Sequence, residues 1–280
     1  MQDGIKRPDT LRAYKSFLDI LKKYMEEKKI ALKFLVEIDV FFLQNYLDYL
    51  YFEKKNSPST YNNHLRFMNI FLLWCKGKGF ISANPAEHIK TKAKTQKKRE
   101  VLPPHIKDEI KTLRTSDFHF YICCMLTYYC FIRRTELTKL KVSDVFLYKG
   151  YIIIDGQNSK NKKTESVTIP NAFLPDLAQH LATANNSDFL FSKDFKTGKT
   201  PINPKKITDT WAKYRKIFGF DDKYQFYSLK DTGITDLLNS GIPAIKVRDQ
   251  ARHYDLKITE SYTARNKFAD ETLRNSSFEF

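Results

Sequence analysis

Three places in the sequence carry side chains able to act on a phosphate. They are the run Phe131-Ile132-Arg133-Arg134-Thr135-Glu136-Leu137, the histidine of Ala251-Arg252-His253, and Tyr262, nine residues further on. Fixed cations beside a tyrosine can cleave a phosphodiester without a metal. The tyrosine stores the bond energy covalently, and the cations offset charge on the phosphate oxygens. Each residue also has an ordinary explanation: a helix boundary with an internal ion pair, a histidine capping carbonyls, and one of 16 tyrosines in a core. Other chemistries lack their signatures. There is no phosphate-binding glycine loop, no H-E-x-x-H and no G-x-S-x-G, which argues against a nucleotide partner, zinc proteolysis and serine-hydrolase activity. Cys75, Cys123, Cys124 and Cys130 lie in apolar helical patterns, and none pairs with histidine at ligand spacing. They read as reduced, buried thiols, and no metal or cofactor is expected.

The chain that must position these groups has 280 residues, is 42% hydrophobic and carries a formal charge of +16. Such a charge points to a polyanionic partner, nucleic acid before anionic membrane. No apolar run approaches the roughly 18 residues of a membrane span, and Met1–Thr10 is too polar for a signal peptide. A cytoplasmic protein is expected. Residues 1–99 hold 20 Lys and Arg against 10 Asp and Glu; the rest holds 28 against 22. The first part reads as a helical bundle: a helix from about Asp9, a second after Asp39, and a third opening at Ser57-Pro58 and stopped by Gly77 and Gly79. Lys90, Lys92, Lys94, Lys97, Lys98 and Arg99 then crowd a stretch with almost no apolar residues. We read residues 91–100 as a linker lying along a phosphate backbone, between domains at 1–90 and 101–280. The second domain reads as mixed. Helices are expected at Pro103–Leu113, Asp117–Phe131, Thr135–Lys141, Ala172–Leu181, Pro204–Phe218, Tyr227–Asn239 and Pro243–Arg252, with a final short helix holding Tyr262. Between them, Tyr151–Asp155 and Ser166–Ile169 read as a β-hairpin. The fold class is therefore mostly α with a small β-hairpin or sheet.

In chain order these features resemble one family. Phe131 to Leu140 is similar to the G-L-R-x-x-E-L-x-x-L box of the tyrosine recombinases, or phage integrases. Ala251-Arg252-His253 with Thr259-Glu260-Ser261-Tyr262 resembles their L-G-H…T-x-x-Y box. Twenty-three residues before His253 stands Lys230, at the place of the second arginine of H-x-x-R. Tyr227 takes the place of its histidine. Ser59-Thr60-Tyr61-Asn62-Asn63 and Gly79-Phe80-Ile81…Asn84-Pro85-Ala86 resemble the family's core-binding domain. Tyr227-Ser228-Leu229-Lys230-Asp231-Thr232-Gly233 is similar to a variant found in integrases of Bacteroides-type mobile elements.

The resemblance implies a helical, SAM-like core-binding domain followed by a catalytic domain, closing on duplex DNA and acting as a homo-tetramer. It also implies that any arm-type domain lies outside these residues. Tyr262 would form a 3′-phosphotyrosine; Arg133, Lys230 and His253 would hold the phosphate, with Tyr227 beside them. A hairpin lysine would protonate the leaving 5′-oxygen. Ser159-Lys160-Asn161 selects Lys160, with Lys162 and Lys163 as alternatives. Lys92, Lys94, Lys97, Lys98 and Arg99 would contact DNA. A tail at 270–280 would dock on a neighbouring protomer. Two other readings share the fold: a DNA-binding protein that no longer cleaves, and a type IB topoisomerase-like enzyme.

Overall fold

A computed structural model describes residues 8–93, 100–157 and 163–263. Lys94, Lys97, Lys98 and Arg99, the hairpin residues Lys160 and Lys162, and the tail 270–280 lie outside the described residues. The chain divides into two compact units, Met1–Lys97 and Lys98–Phe280.

The first unit packs α1 (Pro8–Glu27), α2 (Val40–Asp48) and α3 (Pro58–Gly77), with one π-helical turn, Tyr49–Glu53, continuing α2. Local chemistry sets the boundaries. The Asp39 carboxylate accepts the Phe42 N–H at 2.7 Å, and Ser57 Oγ accepts that of Thr60 at 3.2 Å, each supplying a partner that the first helical turn lacks. Pro58 fits the first turn because its missing N–H would have no partner there. The apolar stripes then close on one another: Leu43, Tyr46, Leu47 and Leu50 of the second helix and its π turn are buried with Leu65, Met68, Leu72 and Cys75 of α3. Asn84, also buried, donates to Asn69 Oδ1 at 2.5 Å and caps the turn Pro85–His88, which ties the chain after α3 back onto it.

The second unit is built around α5 (Phe118–Tyr129), whose residues Phe120–Thr127 are all buried. A helix apolar on every face belongs in the middle. Around it lie α4 (Pro104–Ser116), α6 (Arg134–Leu137), α7 (Leu174–Leu181), α8 (Pro204–Ile217), α9 (Ser228–Asn239), α10 (Ala244–Ala251) and α11 (Leu256–Glu260). The hairpin forms as β2 (Tyr151–Ile154) against β3 (Glu165–Thr168), in antiparallel register Tyr151↔Thr168 to Ile154↔Glu165. Alternation sends Ile152, Ile154 and Val167 into the core. A two-residue strand, β1 (Val145–Phe146), adds to the outer edge of β2; it is too short to show periodicity. Helix α9 approaches α5 so closely that a Cβ on Gly233 would lie 1.9 Å from the Tyr128 carbonyl oxygen. Only glycine allows that approach.

Two expected elements differ. The helix after Arg133 is one turn long, because Glu136 folds back to cap it rather than extend it. The last helix stops at Glu260, so Tyr262 sits in the turn beyond it and not in the helix. Its hydroxyl is thereby directed inward. All four cysteines are buried and free of disulfides.

Candidate active site

Phe131, in the left-handed region at φ 55°, breaks the chain sharply after α5 and leaves Arg133 extended at the start of α6. The Arg133 N–H donates to Glu136 Oε2 and its Nη1 to Oε1, both at 2.9 Å. Glu136 is 1% exposed. Burial alone would raise its carboxyl pKa; hydrogen bonds and charge from Arg252 and Arg133 outweigh this and hold it below the ordinary range.

Lys230 projects from α9 into the same region and is completely buried. Its Nζ donates to the Phe131 carbonyl at 2.9 Å and the Ala251 carbonyl at 3.1 Å. It therefore braces the backbone just before Arg133 and just before Arg252. Burial pushes its pKa well below the ordinary lysine value, and the charges of Arg133 and Arg252 push the same way. In this arrangement the ammonium faces backbone oxygens.

Arg252 ends α10 in the left-handed region, φ 54° and ψ 48°. This turn brings the His253 N–H onto the Arg248 carbonyl at 3.1 Å and leaves the ring half-buried, its Nδ1 hydrogen-bonded to Thr259 Oγ1 at 2.9 Å. The Arg252 side chain turns inward, and its Nη2 donates to Glu136 Oε2 at 2.5 Å. Tyr262 is 8% exposed and packs with Phe131, Ile234, Val247 and Ala251. Its ring lies nearly parallel to that of His253, 6.1 Å away, and its hydroxyl donates to Asp231 Oδ1 at 2.7 Å.

Arg133, Lys230, His253 and Tyr262 are thus gathered from α6, α9 and the turns after α10 and α11. Tyr227 stands directly before α9 and is 43% exposed; Lys163 lies on the surface. Two neighbours were not among the site residues chosen from the sequence. Asp231, beside Lys230, receives the tyrosine hydroxyl. Arg252 stands where the resembling box has glycine, and that mismatch was its available signal. Among the described residues, no three His, Cys, Asp or Glu side chains converge as a metal site, and no helix is long and apolar enough to cross a membrane.

Lys92 of the expected DNA-binding run belongs to the first unit. Its N–H and carbonyl pair with the Asn62 side chain at 2.9 and 2.8 Å. Its ammonium lies 4.2 Å from the ring centre of Tyr51 and 4.8 Å from that of Tyr61. These contacts fold residue 92 onto α3.

Comparison with known proteins agrees with this architecture. Residues 99–268 match the model of the phage integrase family, and residues 2–94 that of the phage integrase SAM-like domain. Tyrosine recombinase XerA of Pyrococcus horikoshii is 24% identical over 270 residues, 94% of this chain and 91% of the relative. Tyrosine recombinase XerD of Listeria innocua is 24% identical over 269 residues, 91% and 87%. Among solved structures, the Tn1549 transposon integrase with a circular intermediate DNA superposes with a TM-score of 0.77, at 13% identity, over 97% of this chain and 94% of that one. The lambda integrase dimer on a core site gives 0.72 at 16% identity, over 96% and 93%. The chain belongs to the phage integrase family, the tyrosine recombinases, enzymes of site-specific DNA recombination.

Proposed function

We propose that this recombinase integrates and excises a mobile element by cutting and rejoining duplex DNA through Tyr262. The observation that carries the reading is the convergence of Arg133, His253 and Tyr262, distant in sequence, onto one buried carboxylate-braced cluster. The Tyr262 hydroxyl gives up its proton as its oxygen attacks phosphorus, and the bond to the 5′-oxygen breaks. Tyrosine, with a pKa near 10, needs help at neutral pH, and Arg133 and His253 lower the barrier by meeting charge on the non-bridging oxygens. Lys160 returns a proton to the 5′-oxygen, Lys162 and Lys163 being the other hairpin donors. Tyr227 takes the place of the family's histidine at the rim. Lys94, Lys97, Lys98 and Arg99 follow the phosphate backbone between a core-binding domain at 1–90 and a catalytic domain at 101–280. Four copies assemble on two DNA partners, in the cytoplasm at the nucleoid, with the tail 270–280 linking neighbours. Solved relatives support the assembly: a lambda integrase tetramer is known on a Holliday junction.

A pool of nicked suicide duplexes, resolved on a denaturing gel, tests this. A covalent adduct with strand exchange is expected. Binding without adduct favours a non-cleaving DNA-binding protein, a reading suggested by Lys230 engaging carbonyls and Tyr227 replacing histidine. Adduct with relaxation of any plasmid favours topoisomerase-like activity.

A further inference from the structure

Arg252 adopts a left-handed backbone conformation that a long side chain disfavours, and its side chain is completely buried. The two guanidiniums divide one carboxylate: Arg252 Nη2 meets Glu136 Oε2 at 2.5 Å while Arg133 Nη1 meets Oε1 at 2.9 Å. The same Oε2 accepts the Arg133 N–H, so both oxygens, and with them the plane of the carboxylate, are set. The Arg252 carbonyl also lies 3.5 Å from Arg133 Nη2. Arg133 is 17% exposed and Arg252 is not exposed at all, so Arg133 is the guanidinium open to a ligand. Charge follows the same division. With Glu136 alone, Arg133 would form a neutral pair with little pull on an anion. A second guanidinium on the same carboxylate leaves one positive charge in excess among these three groups, next to the open face.

We propose that Arg252 is a positioning residue for DNA cleavage: through Glu136 it fixes the Arg133 guanidinium and leaves its charge available to the scissile phosphate. The inference rests on the proposed role of Arg133.

The test is single-turnover cleavage of a nicked suicide duplex at saturating DNA, with DNA affinity and thermal midpoint measured alongside. Arg252→Gln should slow cleavage by about 10–100-fold, as for groups that orient metal ligands in other enzymes, at unchanged affinity. Arg252→Lys, which keeps the charge, should recover part of the rate and serves also if the glutamine variant folds poorly. Arg133→Ala with Arg252→Gln should be no slower than Arg133→Ala alone, because the second change acts only through the first. Multiplying losses would overturn the proposal and make Arg252 an independent contact. A wild-type rate for Arg252→Gln in a folded protein would also overturn it, as would a lysine variant no faster than the glutamine one. Arg133→Ala cleaving at the wild-type rate overturns the parent reading instead.

Discussion

The two units bury different things. Among the described residues, the buried polar side chains of the first unit are Asn62, His64 and Asn84, all neutral. Burial lowers the His64 pKa to about 4, so the ring that meets Tyr46 stays uncharged. One cation near its core, Lys92, keeps its ammonium over aromatic faces. The second unit instead buries Glu136, Lys230, Asp231 and Arg252 within one cluster. Burying charge is costly unless each group is paired and hydrogen-bonded. A bundle that only grips a polyanion has no use for that cost, because surface lysines are enough. Acting on a phosphate requires donors whose positions are already set, and only a packed interior holds charges that firmly.

The sharpest break of this contrast is at Tyr262. Tyr262→Phe should abolish the covalent adduct and leave DNA affinity intact, and residual adduct at normal levels would move the nucleophile to another tyrosine such as Tyr254. The same change removes one hydrogen bond to the buried Asp231 carboxylate, so the second unit should also lose about 1–3 kcal/mol in urea unfolding.

Next in size is Gly233→Ala. The added methyl would meet the Tyr128 carbonyl and the Phe131 ring, and backbone cannot yield as a side-chain end does. The second unit should lose about 3 kcal/mol or more, with the first unit's transition unmoved; a common shift of both would deny their independence.

Lys230 provides a pH signature. Its folded pKa lies below the unfolded value of 10.5, so between the two the unfolded chain binds a proton that the folded one does not. Stability should therefore fall as pH drops below about 10.5, by about 1.4 kcal/mol per unit until the folded pKa is reached. Lys230→Met should flatten that slope, read from urea midpoints across alkaline pH. An unchanged slope would mean that the buried ammonium stays charged throughout.

The smallest effect belongs to the first unit. Lys92→Ala removes a cation from aromatic faces and should cost about 0.5–1 kcal/mol in that unit alone. In salt titrations, each of Lys94, Lys97 and Lys98 that contacts a phosphate should reduce the slope by about 0.9 when neutralised.

Much of this was legible in the residues themselves. Asp39 and Ser57 announce helix starts because capping is a local event, complete within one turn. The apolar stripes of α2 and α3, the unbroken apolar run of α5 and the alternation of β2 announce their burial for the same reason. Arg133, His253 and Tyr262 were visible through spacing, since a motif conserves distance along the chain. The one-turn α6 was not, because Glu136 could have extended the helix as readily as capped it. Nor was β1, whose two residues carry no period.

By itself, then, the sequence determined most of the elements, the two-part organisation and the residues proposed to carry the chemistry. Partners and directions were left to the tertiary structure. It turned Lys230 onto two carbonyls 99 and 21 residues away, drew Arg252 inward to share Glu136, and set the Tyr262 hydroxyl on Asp231. Each of these is a choice between solvent and a buried partner. That choice depends on how closely α5, α9 and α10 approach one another, a quantity that no local stretch of residues encodes.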